Sequence, residues 1–372
     1  MLLVASPAYP EPPIDGDKFR WTSLLRHLTE LTPLHGVFGF MRTPTMEARD
    51  ELFDRRFAGL DIVGTPNVEV TVRAGLLALR GWPSAFGRRA TPRWRRAVVA
   101  AAARHHPSSI LLLGTSGGYV PTLPAPTWLD LVDVRSRHRT IAGDQVTRRR
   151  ILDAELQLAD RHRILLTCSS DRDWLLQHGA APSRVAVIAN GVDPSLFELT
   201  PDPASRLLLF VGNLRLGNSR RGIEWFLRES WPKIYSSDST VRLRIVGYGA
   251  DRISASDRVE IYADVPTLRP HYAAAAVGVA PLLEARGVQN KALEAMAAGL
   301  PVVCTSPVAS GFFSAEPAWE VADDGEAIAQ ACLSLLANPL RRAELGERGR
   351  RYVRANHDWR KSAEQLLSLL SQ

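Results

Sequence analysis

Residues 284–305 carry the side chains of this sequence best suited to chemistry. They run Glu-Ala-Arg-Gly-Val-Gln-Asn-Lys-Ala-Leu-Glu-Ala-Met-Ala-Ala-Gly-Leu-Pro-Val-Val-Cys-Thr. The pattern predicts a polar loop over 286–289, a helix opened by Asn290 and Lys291, a stop at Gly299 and Pro301, and then an apolar strand. A loop entering a helix leaves backbone N–H groups and a positive dipole end, which suit a phosphate. Arg286 and Lys291 bring two cations to that end. At about 100° per residue, Asn290, Lys291 and Glu294 share one arc, while Ala292, Leu293 and Met296 share the opposite, apolar one. Glu294 lies a turn deeper, where a carboxylate does not help a phosphate but can accept two hydrogen bonds from a ribose diol. The chemistry this implies is binding of a nucleoside diphosphate. The ordinary alternative is Asn290 as an N-cap, with Lys291 and Glu294 as an i,i+3 surface pair worth a few tenths of a kcal/mol.

Such residues need rigid elements to position them. Strand and helix patterns alternate almost throughout, which indicates α/β architecture with parallel sheets. In the first half, strands are predicted at 2–6, 36–40, 61–64, 68–72, 110–113, 128–134, 164–169 and 185–188. Helices are predicted at 17–31, 46–55, 74–81, 94–105, 147–159 and 172–177. Residues 191–205 contain three prolines and no regular period, and read as a linker. The pattern then restarts, with strands at 207–211, 243–246, 259–262, 277–280 and 302–304 and helices at 222–235, 267–275 and 291–298. From 326 onward the chain reads as almost all helix, ending in 359–370. The expected division is a domain over 1–190, the linker 191–205, a second domain over 206–355, and a terminal helix in 356–372 that returns to the first domain.

A length of 372 residues suits two domains, each with its own core, and 45% hydrophobic with 23% charged residues describes a soluble globular protein. No apolar run is long enough to span a membrane, and Met-Leu-Leu-Val-Ala-Ser at the start lacks a basic region and a cleavage site. A cytoplasmic location follows as an expectation. Cys168, Cys304 and Cys332 are scattered without metal-site spacing and read as buried thiols in a reducing compartment. The net charge of +7, mostly arginine, admits nucleic acid, anionic lipid or an anionic small molecule as partner. No helix-turn-helix, zinc-finger or RNA-binding aromatic motif is present, so no nucleic-acid partner is expected. Over 82–106, basic residues interleave with Trp82, Phe86 and Trp94. Such a segment could lie on anionic lipid and hold the protein peripherally at the inner membrane surface. The alternative is a core helix flanked by arginines.

The 284–305 segment resembles the donor-binding signature of family 4 glycosyltransferases, with Glu294 at the second glutamate of its Glu-x7-Glu pattern. It is more similar still to a subgroup reading Arg-Gly-x-Gln-Asn-Lys-x-Leu-Glu-Ala-Met-Ala, found among sugar transferases linked to exosortase and exopolysaccharide loci. The resemblance spans nearly the whole chain. It includes the Pro-rich opening Pro7 to Arg20, the Asp130-Leu-Val-Asp-Val-Arg-Ser-Arg-His138 segment, the hinge-like Asn190-Gly-Val-Asp193, the basic stretch Gly212 to Gly222, and Ile245-Val-Gly-Tyr-Gly249.

The resemblance implies the GT-B fold, two Rossmann-like doubly wound domains facing a cleft, the first for acceptor and the second for donor. It implies transfer of a sugar from a nucleoside-diphosphate donor, UDP or GDP, to a hydroxyl of a glycan, lipid-linked or small-molecule acceptor. The setting would be polysaccharide or glycoconjugate biosynthesis, and the transfer would be retaining, with no bound metal and no cofactor. Donor-binding positions carried over are Gly16, Lys18, Arg20, Gly212, Arg215, Gly247, Arg286, Gly287, Val288, Gln289, Asn290 and Glu294. Asp133, Arg221 and Lys291 take the catalytic positions: Asp133 on the acceptor hydroxyl, the two cations on the leaving diphosphate. Ser136 and His138 are candidates to touch donor or acceptor. Two departures stand out. Arg286 occupies the place of the first glutamate, which suits a phosphate or a sugar carboxylate, and Asn213 stands where many relatives carry arginine. A nucleotide-sugar epimerase or hydrolase on the same fold, or a catalytically silent nucleotide-sugar-binding subunit, are the alternatives.

Overall fold

The computed structural model describes residues 1–11, 16–40, 50–79, 84–137, 145–254, 257–314 and 317–372. The start of the helix expected at 46–55, Trp82 and His138 lie outside the described residues. The chain forms two compact units, Met1–Ala189 with Trp359–Gln372, and Asn190–Asp358.

The first unit is built on strands β1 (Leu2–Ser6), β2 (Leu34–Phe40), β3 (Gly59–Gly64), β4 (Ser109–Leu113), β5 (Thr127–Val132), β6 (Arg163–Leu166) and β7 (Val185–Val187). They form one parallel sheet in the order β3-β2-β1-β4-β5-β6-β7. Every residue of β1 and β4 is buried, as expected for strands covered by helices on both faces. The chain winds outward from β1 to β3, then returns to lay β4 on the other side of β1. The β1/β4 boundary is therefore the topological switch point, where ligands sit outside the carboxyl ends of strands. The terminal helix Trp359–Leu370 belongs to this unit. Its buried Trp359, Ala363, Leu366 and Leu370 follow helical spacing, and Trp359 meets Phe19 edge-on with ring centroids 5.9 Å apart.

The second unit repeats the plan with β8 (Leu207–Val211), β9 (Arg242–Gly247), β10 (Val259–Ala263), β11 (Val277–Ala280), β12 (Val302–Cys304) and β13 (Trp319–Val321). The parallel order is β10-β9-β8-β11-β12-β13, which puts the switch point between β8 and β11. Residues 191–205, expected as a linker, belong to this unit. Asp193 caps the turn Pro194–Glu198, Val192 and Leu196 are buried, and Arg342 Nη1 donates to the Ser205 carbonyl at 3.2 Å. Cys168, Cys304 and Cys332 are free thiols, all buried.

Several elements differ from the sequence reading. The alternation at 68–72, expected as a strand, lies in the helix Asn67–Leu79, opened by Pro66. Alternating valines name a strand only where a sheet takes them up, and here the sheet ends at β3. The helix expected at 222–235 starts at Gly217, and Pro232, which has no N–H to give, falls where it breaks into Gly217–Glu229 and Trp231–Ser237. β5 ends at Val132 rather than 134. β13 has no counterpart in the sequence reading. Phe86 and Trp94 are core residues of the first unit, so the aromatic groups described within 82–106 face the interior, as in the core-helix alternative. Among the described residues, no helix is long and apolar enough to cross a membrane.

Candidate active site

The switch point of the second unit is where the chemistry-bearing residues meet. β8 runs out at Val211 into Gly212, and the Gly217–Glu229 helix starts a few residues later. β11 runs out into the 281–289 loop, which enters the helix Asn290–Ala297. The N-cap of that helix is Gln289, whose side chain makes no capping bond. Its Nε2 donates instead to the Arg286 carbonyl at 2.8 Å. Asn290 is therefore the first helical residue, not the cap. Its Oδ1 accepts from Asn190 Nδ2 at 2.9 Å. Asn190 is held in turn by His357, whose Nδ1–H donates to the Asn190 carbonyl at 2.8 Å. Burial lowers the His357 pKa to about 4, so the ring stays neutral and keeps this role.

Lys291 and Glu294 do not pair with one another among the described residues. Lys291 Nζ donates to Ser219 Oγ at 3.2 Å, in the first turn of the Gly217–Glu229 helix, and lies 5.5 Å from the centre of the Phe210 ring. Glu294 Oε2 accepts from the Tyr272 hydroxyl at 2.7 Å. Burial is the main cause at both groups. It lowers Lys291 to about 8, partly opposed by Glu294, and raises Glu294 to about 7 against Tyr272 and Lys291, with Asp193 adding to the rise. The Tyr272 hydroxyl is in turn pushed well up by burial and by Glu294. Lys291 thus joins the starts of two helices, a setting for a diphosphate, and Glu294 offers a carboxylate one turn below.

The surrounding loops hold the other expected donor residues. Gly247 has φ 135°, and a Cβ there would lie 2.2 Å from the Gly212 carbonyl oxygen, so only glycine lets these two strand ends approach. Gly287, at φ 53°, turns the loop before the buried Val288. Arg286 is half-buried beside it. The exposed Arg215 stacks its guanidinium 3.8 Å from the centre of the Tyr248 ring. Arg221 is exposed in the second turn of its helix and donates to Asn218 Oδ1 at 2.7 Å. Ser219, Tyr272 and Asn190 are the neighbours that sequence reasoning did not assign to Lys291, Glu294 and Asn290.

The remaining expected residues lie in the first unit. Gly16 is exposed at the start of the Gly16–Leu31 helix, with open space where a Cβ would go. Lys18 lines a cavity of about 230 Å³ at the carboxyl ends of β1 and β4, together with Trp21, Arg88 and Arg135. Arg20 does not line it. Two residues on in the helix it points about 200° away, into the core. There its Nε donates to Asp130 at 2.9 Å and its Nη1 to the Ile188 carbonyl at 2.8 Å, so Arg20 is a buried structural residue and not a ligand-facing one. Asp133 is half-buried just past a strained residue, Val132 at φ 72°, where β5 shifts register. Ser136 is buried, where it donates to Glu155 at 2.5 Å and accepts from Trp174 at 3.0 Å. Glu155 also accepts from the Arg135 N–H at 2.6 Å, and burial raises it to about 7. Asp171, raised by burial, braces the same turn through Arg137 and the Val134 N–H. Ser136 thus holds the turn that follows Asp133 and does not face a ligand.

Residues 205–338 match a family profile described as "Glycosyl transferases group 1", so the second unit carries a domain of that kind. Among curated proteins, none matches the chain. Among solved structures, the chain is similar to HepE of Anabaena in complex with UDP, at 14% identity and a TM-score of 0.71 over 100% of this chain and 99% of that one. It is similar to sucrose-phosphate synthase of Thermosynechococcus elongatus, at 18% identity and 0.74 over 99% and 98%. A glycosyltransferase of Rickettsia africae gives 11% and 0.67 over 99% and 97%. At these identities the likeness shows the fold, which is GT-B. The matched domain and the fold together support a GT-B glycosyltransferase.

Proposed function

We propose that the protein is a cytoplasmic family 4 glycosyltransferase, similar to the exosortase- and exopolysaccharide-linked subgroup, that moves a sugar from a UDP-sugar donor to a hydroxyl of a glycan or related acceptor. The observation that carries the reading is the separation of Lys291 and Glu294, each held by its own neighbour at the β8/β11 switch point. A diphosphate fits the cationic end and a ribose diol the carboxylate. HepE, of the same fold, is seen in complex with UDP and with UDP-glucose, which supports UDP as the nucleotide to test first.

In this reading the bond from the anomeric carbon to the diphosphate breaks as a bond to the acceptor oxygen forms on the same face, so configuration is retained. The hydroxyl proton passes to a phosphate oxygen of the departing UDP, and Lys291 and Arg221 stabilise the negative charge left there without a metal. Asp133 orients the acceptor hydroxyl. Arg286 binds the diphosphate, or the carboxylate of a uronic-acid sugar.

The test is a thermal-shift screen with UDP, GDP, ADP and dTDP on the wild type and on Glu294→Ala and Lys291→Ala. A ligand at about 100 times its Kd adds about 2.7 kcal/mol of stability. UDP is expected to stabilise the wild type and neither variant. No shift with any nucleotide would remove the reading. Turnover of UDP-glucose without acceptor would turn it towards a hydrolase or epimerase. Loss of all donors alike in Arg286→Ala would assign that residue to the diphosphate.

A further inference from the structure

The helix Asn67–Leu79 has no buried residue. Val68, Val72, Leu76 and Leu79 are 66%, 56%, 54% and 87% exposed. At about 100° per residue they fall within an arc of about 80°, so the helix shows solvent a continuous apolar stripe. Isolated surface aliphatics need no explanation, but a stripe along one helix marks an interaction surface. The next flank of the same helix carries Arg73 and Leu77, which line a cavity of about 260 Å³ with Arg95, Arg161, Tyr119 and Gln157. Three arginines and no carboxylate line the cavity, and Arg73 Nε donates to the Gly87 carbonyl at 2.6 Å. Arg95 Nε is buried without an acceptor among the described residues.

We propose that this face of the first unit docks on an anionic phospholipid surface. The Val68–Val72–Leu76–Leu79 stripe enters the acyl boundary, and a lipid phosphate occupies the three-arginine cavity. Both halves match the two components of a bilayer surface, apolar chains beside anionic headgroups, in the geometry of an interfacial helix. A protein partner would need carboxylates placed for the cavity and apolar side chains for the stripe. An anionic bilayer presents both to any orientation of approach. The surface differs from the aromatic residues Phe86 and Trp94, which the core consumes.

Flotation with vesicles tests the proposal. Neutral phosphatidylcholine vesicles are compared with vesicles holding about 30 mol% phosphatidylglycerol. The wild type should bind the anionic vesicles at least about tenfold better and lose most binding at high salt. Val72→Glu/Leu76→Glu should weaken binding by about tenfold or more, and Arg95→Ala/Arg161→Ala by about fivefold per arginine. Leu79→Glu, at the most exposed of the four positions, is a second stripe variant if the double one unfolds. The melting temperature and the UDP-induced shift of each variant report folding separately. Equal binding to both vesicle types, no binding to either, or full binding by the stripe variants would overturn the proposal. So would a wild-type dimer that Val72→Glu/Leu76→Glu converts to monomer in light scattering, which would assign the stripe to a second copy of the chain.

Discussion

Nucleotide-sugar affinity should pass through a maximum between about pH 7 and pH 8. Lys291 is lowered to about 8 because burial disfavours its charged form, and Glu294 is raised to about 7 for the same reason. A diphosphate needs the lysine charged, and ribose hydroxyls need the carboxylate ionised. At pH 7 about nine-tenths of Lys291 is protonated, and at pH 9 about one-tenth is. If the bound diphosphate restores the charge, the apparent Kd weakens about tenfold from pH 7 to pH 9, or about 1.4 kcal/mol. On the acid side, protonation of Glu294 weakens binding as pH falls from about 7 to 6. The assay is calorimetric titration of UDP-glucose, whose diphosphate carries no titrating proton in this range. Lys291→Arg stays charged at every pH and should lose the alkaline limb. Any titration of the ligand itself persists in that variant and can be subtracted. Tyr272→Phe removes a bond that lowers Glu294, so the acid limb should move to higher pH. A wild-type Kd flat from pH 6 to 9, or an alkaline limb unchanged in Lys291→Arg, would refute the assignment of these two groups to the donor.

Arg20→Leu should destabilise the first unit by about 3–5 kcal/mol in urea denaturation, because it leaves the Asp130 carboxylate buried without its cation. Arg20→Met with Asp130→Leu should recover most of that, and the UDP-induced shift should be retained in any folded variant. A loss below about 1 kcal/mol would mean that Asp130 finds another partner. Gly247→Ala should cost at least about 2 kcal/mol in thermal melting, given φ 135° and the Gly212 carbonyl 2.2 Å from its Cβ. A neutral result would show that β8 and β9 can separate at no cost.

The fold was legible in the sequence wherever strands are buried on both faces. Leu-Leu-Leu-Phe-Val in β8 and Val-Gly-Val-Ala in β11 admit little else, and the Trp359–Leu370 helix shows its buried stripe in its spacing. The residues 68–72 misled because Val-Glu-Val-Thr-Val alternates, although no neighbouring strand takes it up. Arg20 misled for a geometrical reason. Lys18 and Arg20 are close in sequence but lie on nearly opposite sides of one helix, and Asp130, the partner that buries Arg20, is 110 residues away. The partners of the candidate site were hidden in the same way. Ser219, Tyr272 and Asn190 reach Lys291, Glu294 and Asn290 across 72, 22 and 100 residues, and nothing local to any of them announces a role.

Those long-range partners change what the motif can do. On an exposed helix, Lys291 and Glu294 would be an i,i+3 pair free to neutralise each other at little gain. Ser219 draws the ammonium toward the Gly217–Glu229 helix and Phe210, while Tyr272 fixes the carboxylate toward the Arg269–Ala274 helix. The two charges stay on one face of the Asn290–Ala297 helix and remain available to different parts of one ligand. Burial opposes both charges, and the one-turn separation lets each offset only part of the other's cost. A ligand that brings a diphosphate to one end and a diol to the other completes both sets of contacts at once. A nucleotide lacking either part would leave one half-buried group poorly satisfied. Selectivity for the whole donor therefore resides in the spacing of the two side chains and in the neighbours that hold them apart.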